Sequence, residues 1–328
     1  LFANTLKDQG IEVRFVDPVD PEAFVRASDD RTRAWYAETL PNPKLRVFPI
    51  GEVAALGRAL GIPLIVDNTA APLLARPFDH GAAIVVYSAT KYIGGHGTSI
   101  GGLIVDGGNF DWEAKPGRHP TLNTPDASYH GAVWTQAVKP LGPIAYILRA
   151  RTVLLRDLGA ALSPMNAFQI LQGLETLPLR MPRHSSNTQA VVDYLRKRKG
   201  ITTVIHPSAQ DGEARARADK YLKGGYGGLL GFELEGGRDA GSPGRLPGAS
   251  RSVWCVNASW LCSRNGCGLA CAATHRDPAP AAALRGAPGR GCPCPDDERD
   301  GQPPPCLLAR PLYARDGARP HRAGPCRW

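Results

Sequence analysis

Pro63-Leu-Ile-Val-Asp67-Asn-Thr69 and, a little further on, Ala83-Ile-Val-Val-Tyr-Ser88-Ala-Thr90-Lys91 are two short apolar runs that each end in polar residues. Runs of four apolar, mostly β-branched residues without alternation are the signature of strands buried on both faces of a parallel sheet. Asp67 and Ser88 then emerge just past the carboxyl ends of those strands, which is where open α/β sheets bind their ligands. The expected fold class is therefore α/β, with a mostly parallel sheet in a large domain.

Lys91 follows Asp67 by 24 residues, so an amine and a lone carboxylate arrive at neighbouring strand ends. Taken singly, Asp67 reads as a turn or capping aspartate and Lys91 as a solvated surface lysine. Together they match what pyridoxal phosphate requires: an amine to condense with its aldehyde, and a negative charge to keep its pyridine nitrogen protonated so that the ring withdraws electrons. Ser88 and Thr90 place two hydroxyls beside the same lysine, able to donate to a phosphate. Gly94, Gly95 and Gly97 let the chain turn sharply away.

VDNT (66–69) and SATKYIGGHGTSIGG (88–102) resemble the Cys/Met-metabolism branch of the fold-type-I pyridoxal-phosphate enzymes. AETLPNPKL (37–45), NFDW (109–112), SYHG (128–131), LGPIAYILRAR (141–151) and LRDLGAALSPMNAFQILQGLETLPLRM (155–181) are most similar to its O-acetylhomoserine sulfhydrylase subfamily. The resemblance runs from residue 1 to about 241. It implies that Lys91 carries the cofactor covalently, that Asp67 faces the pyridinium nitrogen, and that Ser88 and Thr90 bind the phosphate. Asn42, in the pattern Glu38-x-x-x-Asn42, then corresponds to the asparagine that contacts the phenolic oxygen near the substrate carboxylate. Tyr87 stands where the family more often has histidine or asparagine.

The reaction implied is a γ-replacement on O-acetylhomoserine by sulfide or methanethiol, giving homocysteine or methionine, with Lys91 as the base. A cystathionine γ-synthase or methionine γ-lyase would use the same lysine, and a non-catalytic gene product is the alternative of a different class. The resemblance further implies a homotetramer, a dimer of dimers, acting on a small amino-acid substrate in the cytoplasm, with neither nucleic acid nor membrane as partner.

Around the two site strands, Glu12–Val16 and Arg33–Glu38 read as strands, and Leu1–Gln9, Pro21–Ala27 and Gly51–Leu60 as helices. The expected large domain is 1–143. A long apolar-periodic helix over Ile144–Leu162 would open a partial smaller domain, 144–241, which holds a helical Asn166–Lys199 broken at Pro182 and a strand at Gly228–Leu234. The chain begins at Leu1 inside a helix-like segment, without the upstream segments that the resemblance calls for, and is expected to be an inactive, N-terminally truncated fragment.

Composition changes after Gly241. Residues 242–328 contain all eight cysteines, 13 prolines and 12 arginines but no lysine, isoleucine or phenylalanine. Leu, Ile, Val and Phe make up about a tenth of the segment, below what a chain needs to bury a core. Such a stretch is expected to be disordered, and it reads like a GC-rich gene translated out of frame. Cys267-x3-Cys271 has a zinc-like spacing there, and Cys262-x4-Cys267 shares one of its cysteines, with no second, separate pair at a regular interval, so no metal is expected. Of the net charge of +9, the tail carries +6 (12 arginines against six acids), scattered among prolines rather than arranged as a nucleic-acid surface. Residues 1–241 lack cysteine, which suits a reducing compartment.

Overall fold

The computed structural model describes residues 1–235 and, beyond them, the backbone of two strands, Val253–Asn257 and Ala273–Thr274. Its strands are β1 (Trp35–Glu38), β2 (Leu64–Asp67), β3 (Ile84–Ser88), β4 (Gly102–Asp106), β5 (Ile201–Ile205), β6 (Leu229–Leu234), β7 (Val253–Asn257) and β8 (Ala273–Thr274). The helices are α1 (Thr5–Asp8), α2 (Pro21–Arg26), α3 (Ile50–Leu60), α4 (Pro120–Asn123), α5 (Trp134–Ala137), α6 (Ala145–Arg149), α7 (Pro164–Glu175), α8 (Leu177–Leu195) and α9 (Gly212–Tyr221).

The first sheet has the order β1-β2-β3-β4. β1, β2 and β3 run parallel, and β4 returns antiparallel with Gly102 opposite Ser88. β2 and β3 pack apolar residues on both faces, as their continuous apolar character requires, whereas β1 buries only one face, leaving Tyr36 and Glu38 exposed. On one side Trp35, Leu64, Val66 and Val85 join Phe24 of α2 and Val53 and Ala54 of α3. On the other, Ile84 packs with Phe110, Trp112, Leu122, Trp134 and Ala145.

Local chemistry explains the helix limits near the site. Asp20 caps α2, its carboxylate accepting from the Glu22 and Ala23 N–H groups ahead of Pro21. Ile50, Val53, Ala54 and Gly57 form the buried stripe of α3, which stops at Gly61 with φ of 67°. Gly57 lies so close to the following turn that a Cβ would sit 2.6 Å from the Ile62 carbonyl oxygen. Ser163 caps α7, accepting from Asn166 N–H at 3.2 Å.

Several expected elements differ. Glu12–Val16 has no strand structure, because its backbone has no ladder partner among the described residues; Arg14 instead bonds Glu12 and Asp29. β1 begins at Trp35, two residues after Arg33, and the first helix is confined to Thr5–Asp8. Ile144–Leu162 is not one α-helix: α6 passes into a π-helical stretch, Ala150–Leu158, which ends at Gly159 with φ of 84°. Pro182 does not end α8. An interior proline costs about 3 kcal/mol in an isolated helix, but here Leu177, Met181, His184, Ser185, Thr188 and Val192 bury one continuous stripe that outweighs it.

The second sheet is antiparallel, β5-β6-β7-β8. The strand expected at Gly228–Leu234 is β6. β7 and β8 fall within 242–328, and the other expectations for that segment, including those for its cysteines and arginines, lie outside the described residues. No helix among the described residues is long and apolar enough to cross a membrane.

Candidate active site

The carboxyl edge of the first sheet gathers four of the five candidate residues. Asp67 is the last residue of β2 and sits opposite Glu38 in β1 and Val86 in β3. Ser88 is the last residue of β3, and its N–H donates to Thr69 Oγ1 at 2.7 Å, tying the two strand ends together. Thr90 and Lys91 lie in the turn that follows, where Lys91 N–H donates to the Ser88 carbonyl at 3.1 Å.

Asp67 is held from two sides. Its Oδ1 accepts from Thr69 N–H at 2.9 Å, and its Oδ2 from the Tyr36 hydroxyl at 2.9 Å. Partial desolvation, with the Asp67 charge and hydrogen bond adding to it, pushes the Tyr36 phenol above its ordinary range, so it stays a donor. Desolvation and then the Asp67 charge raise the Glu38 carboxyl, while the Asn42 backbone N–H, donating to it, opposes the rise. Asn42 is thus linked to the site through Glu38, four residues before it, and is itself exposed.

The hydroxyls and the amine differ in availability. Thr90 Oγ1 accepts from Gly101 N–H at 3.0 Å and bonds the Gly101 carbonyl at 3.3 Å, so its hydroxyl is already engaged by β4's first turn. The Ser88 hydroxyl and the exposed Lys91 ammonium make no hydrogen bond with the described residues. A free amine, a free hydroxyl and an anchored carboxylate along one sheet edge are a donor set that fits pyridoxal phosphate: amine for the aldehyde, hydroxyl for the phosphate, carboxylate for the ring nitrogen. Tyr87, the departure from the family pattern, accepts from Asn68 Nδ2 at its hydroxyl, 3.1 Å away, and so braces the residue beside Asp67.

Two contributors escape a reading of the sequence. Tyr36 reaches Asp67 only because β1 and β2 are in parallel register; the signal for it was its alternation with Glu38. Arg180, from α8, donates to the carbonyls of Tyr92 at 2.7 Å and Ile93 at 3.1 Å, clamping the two residues after the lysine. It also donates to Gly173 O at 2.7 Å. Among the described residues no cluster of three or more His, Cys, Asp or Glu could hold a metal ion.

The family model for Cys/Met metabolism PLP-dependent enzymes matches residues 1–276, beyond the point near Gly241 where the resemblance was expected to stop. The chain belongs to this family of pyridoxal-phosphate enzymes. It is 49% identical over 240 residues to an O-acetyl-L-homoserine sulfhydrylase of Leptospira meyeri, covering 71% of this chain and 54% of the relative. To a homocysteine synthase of Schizosaccharomyces pombe it is 45% identical, with 73% and 56% covered. The chain spans about half the length of these relatives. A solved O-acetylhomoserine (thiol)-lyase of Campylobacter jejuni, carrying N'-pyridoxyl-lysine-5'-monophosphate, matches with a TM-score of 0.65 and 35% identity over 71% of this chain and 57% of that one. An O-acetylhomoserine sulfhydrylase of Wolinella succinogenes gives 0.61 and 36%, with 71% and 63% covered. These likenesses make the fold that of the fold-type-I enzymes.

Proposed function

We propose that the edge formed by Asp67, Ser88, Thr90 and Lys91, with Asn42 beside it, is the pyridoxal-phosphate site of a γ-replacement enzyme acting on O-acetylhomoserine with sulfide or methanethiol. The observation that carries this reading is the anchored Asp67 at one strand end with Lys91, exposed and without a hydrogen-bond partner among the described residues, in the turn after the next. The name of the relative at 49% identity supplies the substrate, and that of the relative at 45% the product homocysteine. We assign 1–143 to the cofactor-binding large domain and 144–241 to a connecting segment and partial small domain; the expected tail 242–328 is not assigned as a whole, because β7 and β8 fall in it as partners of β6 and the family match runs to residue 276. A homotetrameric assembly in the cytoplasm accompanies the reading.

When bound, pyridoxal phosphate supplies an electron sink for carbanions at the substrate's Cα and Cβ. Asp67 holds its negative charge in place through Thr69 N–H and the Tyr36 hydroxyl, so no reorganisation is needed when positive charge faces it. Ser88 presents a hydroxyl to the phosphate. Lys91 would carry the protons, removing the one at Cα and passing it on before removing one at Cβ as acetate leaves Cγ, and returning protons to Cβ and Cα once sulfide or methanethiol has bonded to Cγ.

Borohydride reduction of the chain incubated with pyridoxal phosphate, followed by peptide mapping, is expected to find the label on Lys91 and none in Lys91→Ala. Label elsewhere overturns the site. Homocysteine released from O-acetylhomoserine and sulfide above the Lys91→Ala level supports the reaction. Methanethiol released from methionine alone would favour a γ-lyase, a reading supported by the likeness to a cystathionine gamma-lyase of Lactobacillus plantarum (TM-score 0.54, 29% identity).

A further inference from the structure

At the opposite, amino end of β1 and β2 lies a cavity of about 320 Å³. Ile65 and Ile84, in register on one face of the sheet, contribute to its wall together with Leu122 and Leu154. Arg33, Arg118 and Arg149 also line it, and no acidic residue does so among those described. The volume is at the lower limit of ligand sites in proteins, enough for a small organic molecule.

Three lining residues carry buried N–H groups without a hydrogen-bond acceptor among the described residues: Trp112 Nε1, Arg118 Nε and Arg149 Nε. Trp112 is 4% exposed and Arg118 9%. Arg118 is fixed in place, its Nη1 donating to the carbonyls of Asp29 at 2.9 Å and Thr32 at 2.6 Å. Trp112 is fixed by stacking on Tyr146, with ring centroids 5.4 Å apart. Among the described residues Arg149 has only Asp126 as counter-charge, at 3.9 Å, and that carboxylate already accepts from Trp134 Nε1 at 2.9 Å. A buried donor left unpaired costs about 1–3 kcal/mol, more when charged, so three around one cavity call for an acceptor. His119 adds no competing charge: burial first, then the field of the arginines, holds its pKa below the ordinary range, and its Nε2 meets the Gly61 carbonyl at 3.1 Å.

We propose that this cavity is a second ligand site, separate from the Lys91 edge, that binds a small carboxylate with an apolar body. The carboxylate pairs with Arg149, Arg118 and the Trp112 indole, and the apolar part rests on Ile65, Ile84 and Leu154. Guanidinium forks suit a carboxylate, and the aliphatic wall excludes a strongly hydrated inorganic anion.

The test is calorimetric titration of the full chain with benzoate and hexanoate, beside benzamide, hexanamide and sulfate. The acids are expected to bind, and the amides and sulfate at least tenfold more weakly. Arg149→Gln should weaken the acids by about ten- to hundredfold, the range of a lost charged hydrogen bond. Leu154→Trp, which fills the cavity and leaves the charges in place, should abolish binding, whereas Lys91→Ala at the far end of the sheet should leave it unchanged. Equal binding of amides and acids, tighter binding of sulfate, loss of binding in Lys91→Ala, or no heat with either acid would each overturn the proposal; the last would leave water as the partner of the three donors.

Discussion

Replacing Gly173 by alanine sets two effects of opposite sign against each other at the point where α7 crosses the lysine turn. Helix propensity alone favours the substitution by at most about 1 kcal/mol, since Gly173 lies within the last turn of α7. Packing opposes it. A Cβ at 173 would lie 2.0 Å from the Gly94 carbonyl oxygen, 2.6 Å from its carbon and 2.7 Å from its Cα, whereas ordinary contact begins at 3.4 Å. The two segments must therefore separate by about 1.4 Å (3.4 minus 2.0), and both surfaces are backbone that cannot rotate away. Overpacking of this kind costs about 1–3 kcal/mol and sometimes more; taking the upper value, the net loss is about 2 kcal/mol. For a folded region of this size that lowers Tm by roughly 4–8 °C. Gly94 and Gly95 close the turn that carries Lys91, through Gly94 N–H to Ala89 O and Gly95 N–H to Lys91 O, so borohydride labelling of Lys91 should fall as well. Gly117→Ala, where a Cβ meets nothing within 4 Å and φ is not positive, is the control and should shift Tm little. A Tm for Gly173→Ala equal to or above that of the parent chain would refute the close crossing and leave only the propensity gain.

The chain is expected to lose stability as pH falls from 6.5 to 4. Burial, with Arg215 adding to it and Asp193 opposing, lowers the pKa of His206 to about 4, so the unfolded chain binds the extra proton across that window; the loss is about 3 kcal/mol, and His206→Asn should flatten urea midpoints measured from pH 7 to 4. The lowered pKa values of His80, His119 and His184 act in the same direction and would persist in that variant; an unchanged slope would remove His206 from the account. Tyr36→Phe and Asp67→Asn should be coupled by about 1 kcal/mol in a double-mutant cycle of unfolding free energies, because the 2.9 Å bond joins a half-exposed phenol to a carboxylate; additive effects would show that the bond contributes nothing in solution.

The two strands that position the site were legible because each is a short, undivided apolar run followed at once by polar residues. The direction of β4 was not, since Leu103, Ile104 and Val105 form the same kind of run whether a strand pairs parallel or antiparallel, and only the ladder from Ser88–Gly102 to Ile84–Asp106 decides it. Periodicity misled at Ile144–Leu162, where the apolar spacing continues through a change of helix type that hydrophobicity does not record. Proline chemistry misled at Pro182, because the cost of one lost backbone bond is local and the burial that offsets it is spread over 16 residues, from Leu177 to Val192.

Within the site, Lys91, Asp67, Ser88 and Thr90 could be read from residue type and spacing, but what fixes them could not. Arg180 stands 88 residues after Tyr92, and nothing in either segment announces that a guanidinium from a later helix accepts the task of binding the carbonyls after the lysine. The turn from Ala89 to Gly95 has few side-chain bonds of its own, and its shape depends on that clamp and on the Gly173 crossing. Lys91 is therefore positioned from outside the sheet: a change in α7 or α8 reaches the amine through the backbone while leaving Asp67, anchored by Thr69 and Tyr36, where it stands. Substitutions in those helices should accordingly separate the two halves of the candidate site, altering lysine labelling before they alter the Tyr36–Asp67 bond.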